Sequence, residues 1–248
     1  MAQLQGKVAL VTGSSRGIGA AIAKRLAHDG ASVVVNYGRD KNGADSVADD
    51  IRRAGGRATA VQADVADVAA ASRLVTASLE AFGRLDIVVN NAGVAALSGL
   101  DETTQQQYEQ VFGVNVRGPL FLTIAAARHM TNGGRIINVS SVAATHVTSG
   151  SGIYSASKAA LEALTKAHAV ALGGRDITVN AVAPGMTETE MLAKNIPEDV
   201  RKQAVKDTPL HRVGTPKDIA DVVAFLASDD ARWVTGSVIV TAGGRGMR

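Results

Sequence analysis

Short apolar runs rich in β-branched residues alternate along the chain with longer stretches of helical periodicity, and this alternation constrains the fold more than any other feature. The runs are Val8–Val11, Ser32–Val35, Thr59–Val61, Ile87–Val89, Arg135–Val139, Ile177–Asn180 and Val238–Val240, so seven strands are expected. Between them lie stretches such as Ala20–Asp29 and Ala69–Phe82, the latter with Leu74, Ser78, Leu79 and Phe82 on one face. Each is long enough for a crossover helix. Strands that are apolar almost throughout must be covered on both faces. The pattern therefore predicts a doubly wound α/β fold of about seven parallel strands with helices on both sides. No linker or composition shift divides residues 1–248, which are read as a single domain.

Composition removes several function classes. At 46% hydrophobic and 20% charged residues the chain can build a core, which excludes general disorder. It has no cysteine and 5 scattered histidines, so neither a disulfide framework nor a metal site is expected. The net charge of +3 arises from 26 basic and 23 acidic residues with no dense basic block, and no nucleic-acid or membrane partner is expected. There is no leader-like segment and no apolar run near the length of a membrane span. A cytoplasmic protein is the expectation. The polar stretch from Pro184 to Pro209 is the least regular, and it is predicted to be a mobile lid.

Directly after the first strand comes Thr12-Gly13-Ser14-Ser15-Arg16-Gly17-Ile18-Gly19, opening the first helix. Glycines here permit a tight turn, close approach of backbone to a pyrophosphate, and close helix packing, while the helix start offers free N–H groups. A dinucleotide is predicted to bind at Gly13, Ser14, Ser15, Arg16, Gly17, Ile18 and Gly19, in a Rossmann-type fold. The second strand ends in Asn36-Tyr37-Gly38-Arg39. An acidic residue at that point would hold a ribose 2′-hydroxyl and repel a 2′-phosphate. None is there, and Arg16 and Arg39 can donate to a phosphate, so NADP(H) is favoured over NAD. Two solvated surface arginines would look the same in sequence.

Tyr154 and Lys158 stand four apart at the start of a helical pattern that runs to Leu172, which puts them on one face. A phenol with an ordinary pKa near ~10 is a weak acid-base catalyst at neutrality, and a neighbouring ammonium would lower that value. Ser141 follows the fifth strand at the sheet's C-terminal end, where it can hydrogen-bond a carbonyl oxygen.

These motifs in this order resemble the classical short-chain dehydrogenase/reductase family over the whole chain. The matching positions are the glycine turn, Asp64-Val65, Asn90-Asn91-Ala92-Gly93, Asn115, Ser141, Tyr154 with Lys158, and Pro184-Gly185. The resemblance implies that Tyr154 is the acid-base residue, that Lys158 lowers its pKa and holds the nicotinamide ribose, and that Ser141 orients the carbonyl. Asn115 would anchor a proton-relay water. Asp64 and Val65 would lie at the adenine, Asn91 with Ala92 and Gly93 by the adjoining ribose, and Pro184, Gly185, Met186 and Thr187 at the nicotinamide. Thr189 would touch the carboxamide or the pyrophosphate. Residues 1–140 would form the dinucleotide-binding part and 141–248 the catalytic and lid part.

Within the family the chain is most similar to 3-oxoacyl-acyl-carrier-protein reductases and related ketoreductases, implying NADPH-dependent reduction of a ketone to a secondary alcohol. The alternatives are an alcohol or sugar dehydrogenase working oxidatively and, with a lower claim, a non-catalytic dinucleotide-binding regulator. Carrier docking in such reductases uses two basic residues; Arg175 occupies one place and Asn132 the other. Met186, Met191, Leu192 and Val147 either line an apolar pocket or pack the lid. A homotetramer is implied, with the Tyr154 helix at an interface, and His168 on that helix is given no catalytic role. Ala242 stands where the family often has Asp or Asn, and the basic tail Arg245–Arg248 would reach a neighbouring subunit.

Overall fold

All seven expected strands form one parallel sheet in the computed structural model, which describes residues 3–245. They are β1 (Val8–Val11), β2 (Ser32–Tyr37), β3 (Arg57–Gln62), β4 (Ile87–Asn90), β5 (Arg135–Val139), β6 (Thr178–Pro184) and β7 (Val238–Thr241), in the order β3-β2-β1-β4-β5-β6-β7. Several run beyond the apolar segments that mark them in the sequence. Asn36 and Tyr37 still pair with Val61 and Gln62, and β6 continues to Pro184 because it is held between β5 and β7. Backbone pairing, not side-chain apolarity, sets those ends.

The continuous apolar runs divide between two faces. Ala9, Val11, Val33, Val35 and Val89 pack on Ile22 and Leu26 of α1 (Gly17–His28), Val47 and Ile51 of α2 (Lys41–Arg53), and a C-terminal helix through Ile219 and Val223. Leu10, Val34, Val88 and Ile136 face the other way, onto Leu74 and Val75 of α3 (Val68–Phe82) and Leu122 and Ala126 of a fifth helix. The remaining helices are α4 (Gln105–Phe112), α5 (Gly118–Ala127), α6 (Gly152–Leu172), α7 (Glu190–Asn195), α8 (Glu198–Asp207) and α9 (Pro216–Ala227). The stretch expected to be irregular thus carries α7 and α8. Two short helices broken at Ile196-Pro197 leave little periodicity, because proline disfavours helical backbone in the residue before it.

Capping fixes most helix starts. The Asp67 side chain accepts from the Ala69 N–H for α3, and Thr215 and Asp218 cap α9 reciprocally behind Pro216. Helix α1 lacks such a cap: Arg16 precedes it without a side-chain hydrogen bond, and its first turn has no acidic residue. Its free N–H groups open at the C-terminal edge of the sheet, between β1 and β4, where the strand order reverses.

Candidate active site

The turn into α1 leaves no room for a side chain at Gly13 or Gly19. Gly13 and Gly17 have φ of 60° and 56°, a region that costs other residues strain. A Cβ on Gly13 would lie 2.8 Å from Ala92 Cα, and one on Gly19 would lie 2.5 Å from Asn91 Nδ2 and 2.8 Å from Ser14 Cα. Asn91 closes the turn by donating from Nδ2 to the carbonyls of Thr12 (2.8 Å) and Gly13 (3.0 Å). Thr12 Oγ1 in turn accepts from the N–H of Asn91 and of Ala92, each at 3.0 Å.

Three residues that the sequence places against the dinucleotide have side chains turned into the protein. Asn36 accepts from the Gly13 N–H at 3.2 Å and donates to the Val61 (3.2 Å) and Ala63 (3.1 Å) carbonyls. Ser14 donates to the Val11 carbonyl at 2.7 Å, and the Asn91 amide is spent as described. Buried polar groups need such partners, so these side chains shape the turn rather than face the crevice. Ser15, Arg16, Gly17 and Ile18 are left at its mouth. Bare backbone N–H groups, the positive end of α1 and the absence of any carboxylate in the first turn fit a pyrophosphate.

At the end of β2, Tyr37 is buried while Gly38 and Arg39 are exposed. The first carboxylate beyond them, Asp40, caps α2 by accepting from the Gly43 N–H at 3.0 Å. Arg16 lies 3.8 Å from Asp40 and 3.3 Å from Glu190 of α7, all three with substantial solvent contact. Asp64 is exposed and accepts from the Ala66 N–H, and Gly118 lets α5 approach Val65, whose carbonyl would be 2.7 Å from a Cβ there. A Cβ on Gly185 would likewise lie 2.8 Å from Ala242 Cβ. Thr187 is buried, and Thr189 caps α7 while its Cγ2 lies 3.4 Å from a Cβ placed on Gly17. The start of α7 therefore meets the glycine turn.

Ser141, in the turn after β5, accepts from the Ala143 N–H at 3.1 Å and hydrogen-bonds the Tyr154 hydroxyl. Lys158 is buried, donates from Nζ to the Val139 carbonyl at 2.8 Å, and lies 5.8 Å from the Tyr154 ring centre. Burial raises the phenol above 10.0, and the opposing influence is the Ser141 hydrogen bond. Lys158 is itself pushed down to about 8 by burial, against the pull of the Glu162 carboxylate. Its ammonium donates to a backbone carbonyl and stands over the Tyr154 ring. At neutral pH the phenol holds its proton and can give it up.

Asn115 lies fully buried in a π-helical turn, Gly113–Arg117, a form often found at functional sites. Its amide accepts from the Val94 N–H (2.9 Å) and donates to the Val94 carbonyl (2.9 Å) and Ser157 Oγ (3.0 Å). Ser157 donates to the Tyr154 carbonyl at 2.7 Å. A Cβ on Gly93 would lie 3.4 Å from Lys158 Nζ and 3.5 Å from Asn115 Oδ1, so Gly93, Asn115 and Lys158 converge. Ser140, Ser157 and Glu162, which join these groups, are not singled out by the sequence. Glu162 carries a signal nonetheless, standing one helical turn beyond Lys158.

Arg175 is not free for docking. Its guanidinium donates to the Ala127 and Met130 carbonyls at the end of α5 and, at 3.4 Å, to Asn132 Oδ1. It satisfies orphan carbonyls at a helix C-terminus. His168 is half-buried, with Nδ1 unpaired and its pKa lowered by burial. Of the basic tail, Gly246–Arg248 lie outside the described residues.

A family model described as enoyl-(acyl carrier protein) reductase matches residues 13–245. A short-chain dehydrogenase/reductase of Serratia marcescens is 43% identical, superposes with a TM-score of 0.94, and is matched over 98% of this chain and 99% of its own. This chain belongs to the short-chain dehydrogenase/reductase family. It is an oxidoreductase. Among short-chain dehydrogenases/reductases it is also similar to a hydroxynaphthalene reductase-like protein of Metarhizium guizhouense, at 46% identity over 97% of this chain and 95% of the relative. An angucycline C-6 ketoreductase solved with bound NADP is 42% identical, with a TM-score of 0.94, covering 99% of this chain and 98% of that one.

Proposed function

We propose that this protein is an NADP(H)-dependent ketoreductase that converts a free, largely apolar ketone to a secondary alcohol. The observation that carries the reading is the pairing of the Ser141 and Tyr154 hydroxyls at the sheet's C-terminal edge, with the buried Lys158 ammonium 5.8 Å from the centre of the phenol ring. NADP is bound by the similar angucycline ketoreductase, and the glycine cradle described above suits its pyrophosphate. When bound, the cofactor supplies hydride to the carbonyl carbon. The chain's own residues do the rest. Ser141 holds the carbonyl oxygen as negative charge develops on it, and Tyr154 donates the proton that completes the alcohol. Lys158 holds positive charge beside the phenol, and Asn115 braces the Val94 loop and, through Ser157, the Tyr154 backbone; anchoring a proton-relay water belongs to the same proposal. Residues 1–140 bind the dinucleotide and 141–248 carry the catalytic groups and lid.

Arg39 is assigned to the cofactor's 2′-phosphate, with Arg16 beside it. Arg39→Ala should raise the KM for NADPH about tenfold, the worth of one charge-assisted contact, and leave that for NADH unchanged. Equal effects on the two cofactors would remove Arg39 from this role.

The substrate reading rests on two features. Arg175 is spent on the end of α5, which argues against docking an acidic carrier protein. Leu97 and Val147 are exposed on the loops that follow β4 and β5, and Met191 on α7 beyond β6; the two loops are joined by the Ser98 N–H donating to the Gly150 carbonyl. That rim suits an apolar or aromatic ring ketone. The test is NADPH consumption with a bicyclic aromatic ketone, an acetoacetyl thioester and an enoyl thioester, and NADP+ reduction with an alcohol and a sugar. Turnover of the ring ketone at least tenfold above the thioesters is expected. Preference for the acetoacetyl thioester would restore the 3-oxoacyl assignment, and preference for the alcohol or sugar an oxidative one. A cytoplasmic homotetramer completes the proposal, supported by Trp233, Phe225 and Val240 exposed about α9 and β7 and by Val170 exposed on α6. Among the described residues no helix is long and apolar enough to cross a membrane.

A further inference from the structure

The group beyond Lys158 on α6 is not explained by folding alone. Glu162 Oε1 accepts from Ser140 Oγ at 2.7 Å, and Ser140 is buried at the end of β5, directly before Ser141. Ser140 is itself fixed by its N–H to the Val182 carbonyl at 2.7 Å. Lys158 Nζ reaches the same strand end at Val139. One carboxylate thus ties the helix that carries Tyr154 and Lys158 to the strand end that carries Ser141. We propose that Glu162, held by Ser140, is a positioning residue that keeps Lys158 charged and sets its place against Ser141 and Tyr154. Burial disfavours the ammonium, and Glu162 is the charged group that acts in its favour. The other groups about Nζ are the neutral Tyr154 phenol, the Val139 carbonyl, and the uncharged Gly93 and Asn115. The inference rests on the ketoreductase reading for the role of Lys158.

The sign follows from burial. Without the carboxylate's charge, the lysine should lose its proton at lower pH. Glu162→Gln keeps an acceptor for Ser140 and removes the charge, Glu162→Asp keeps the charge, and Ser140→Ala frees the carboxylate. Two measurements are made on the full chain: the Lys158 Nζ titration by 15N NMR without cofactor, assigned with Lys158→Arg, and the pH profile of kcat with NADPH and the bicyclic ketone. For Glu162→Gln, both midpoints should move to lower pH by roughly half a unit or more. Glu162→Asp should restore most of the shift, and Ser140→Ala should move the midpoints the same way by less. Midpoints unchanged in Glu162→Gln, or in Ser140→Ala should the first not fold, would overturn the proposal. Loss of activity without a shift would assign Glu162 a packing role only. The NMR titration does not depend on turnover, so failure of the ketoreductase reading would show separately, as an inactive wild-type protein with a normal Glu162 effect on Lys158.

Discussion

Tyr154→Phe should lower kcat by about 10³-fold, within the range removed with a general acid, while NADPH binds with nearly unchanged affinity and the melting temperature stays put. The phenol is half-buried, hydrogen-bonded to Ser141, and carried on a helix that is anchored elsewhere. Asn138 donates to Thr165 Oγ1 and accepts from Asn90, both at 2.8 Å, so β4, β5 and α6 stay joined without the hydroxyl. The raised pKa makes the direction informative. A phenol that keeps its proton through neutral pH is ready to protonate a developing alkoxide and poorly suited to remove a proton from an alcohol, so reduction should be the faster direction at pH 7. Stopped-flow and steady-state rates with the purified variant, together with NADPH fluorescence titration, check both parts. A variant within tenfold of the wild-type rate would remove Tyr154 from the acid-base role.

The second large effect is expected at Gly19. Gly19→Ala should weaken NADPH binding by at least about a hundredfold and destabilise the fold by about 1–3 kcal/mol, the usual cost of overpacking. The new methyl would enter the space of Asn91 Nδ2, the Gly13 carbonyl and Ser14 Cα. Two of these are backbone in the turn itself, and the third is the side chain that holds the turn closed through Thr12 and Gly13. None is the free end of a flexible chain. Relief therefore has to come from moving the turn, which is the surface that meets the pyrophosphate. Isothermal titration with NADPH and urea unfolding separate the two consequences. Normal affinity in a destabilised variant would mean that the cradle is formed by other residues.

Strand number, parallel sheet and glycine turn were legible in the sequence because each rests on local spacing: apolar runs covered on two faces, and glycines where backbone must approach closely. Tyr154, Lys158 and Ser141 were legible for the same reason, one pair by helical spacing and the third by its place at a strand end. Tertiary structure alone decided how the side chains at those positions are used. Asn36, Asn91 and Ser14 hold backbone groups because amides and hydroxyls shielded from water must find partners, and for Asn36 and Asn91 those partners lie far along the chain. Arg175 is taken up by the end of α5, a contact across 45 and more residues. The directions of the Tyr154 and Lys158 pKa shifts follow from burial, which no spacing encodes, and the hold of Ser140 on Glu162 arises only where β5 and α6 meet.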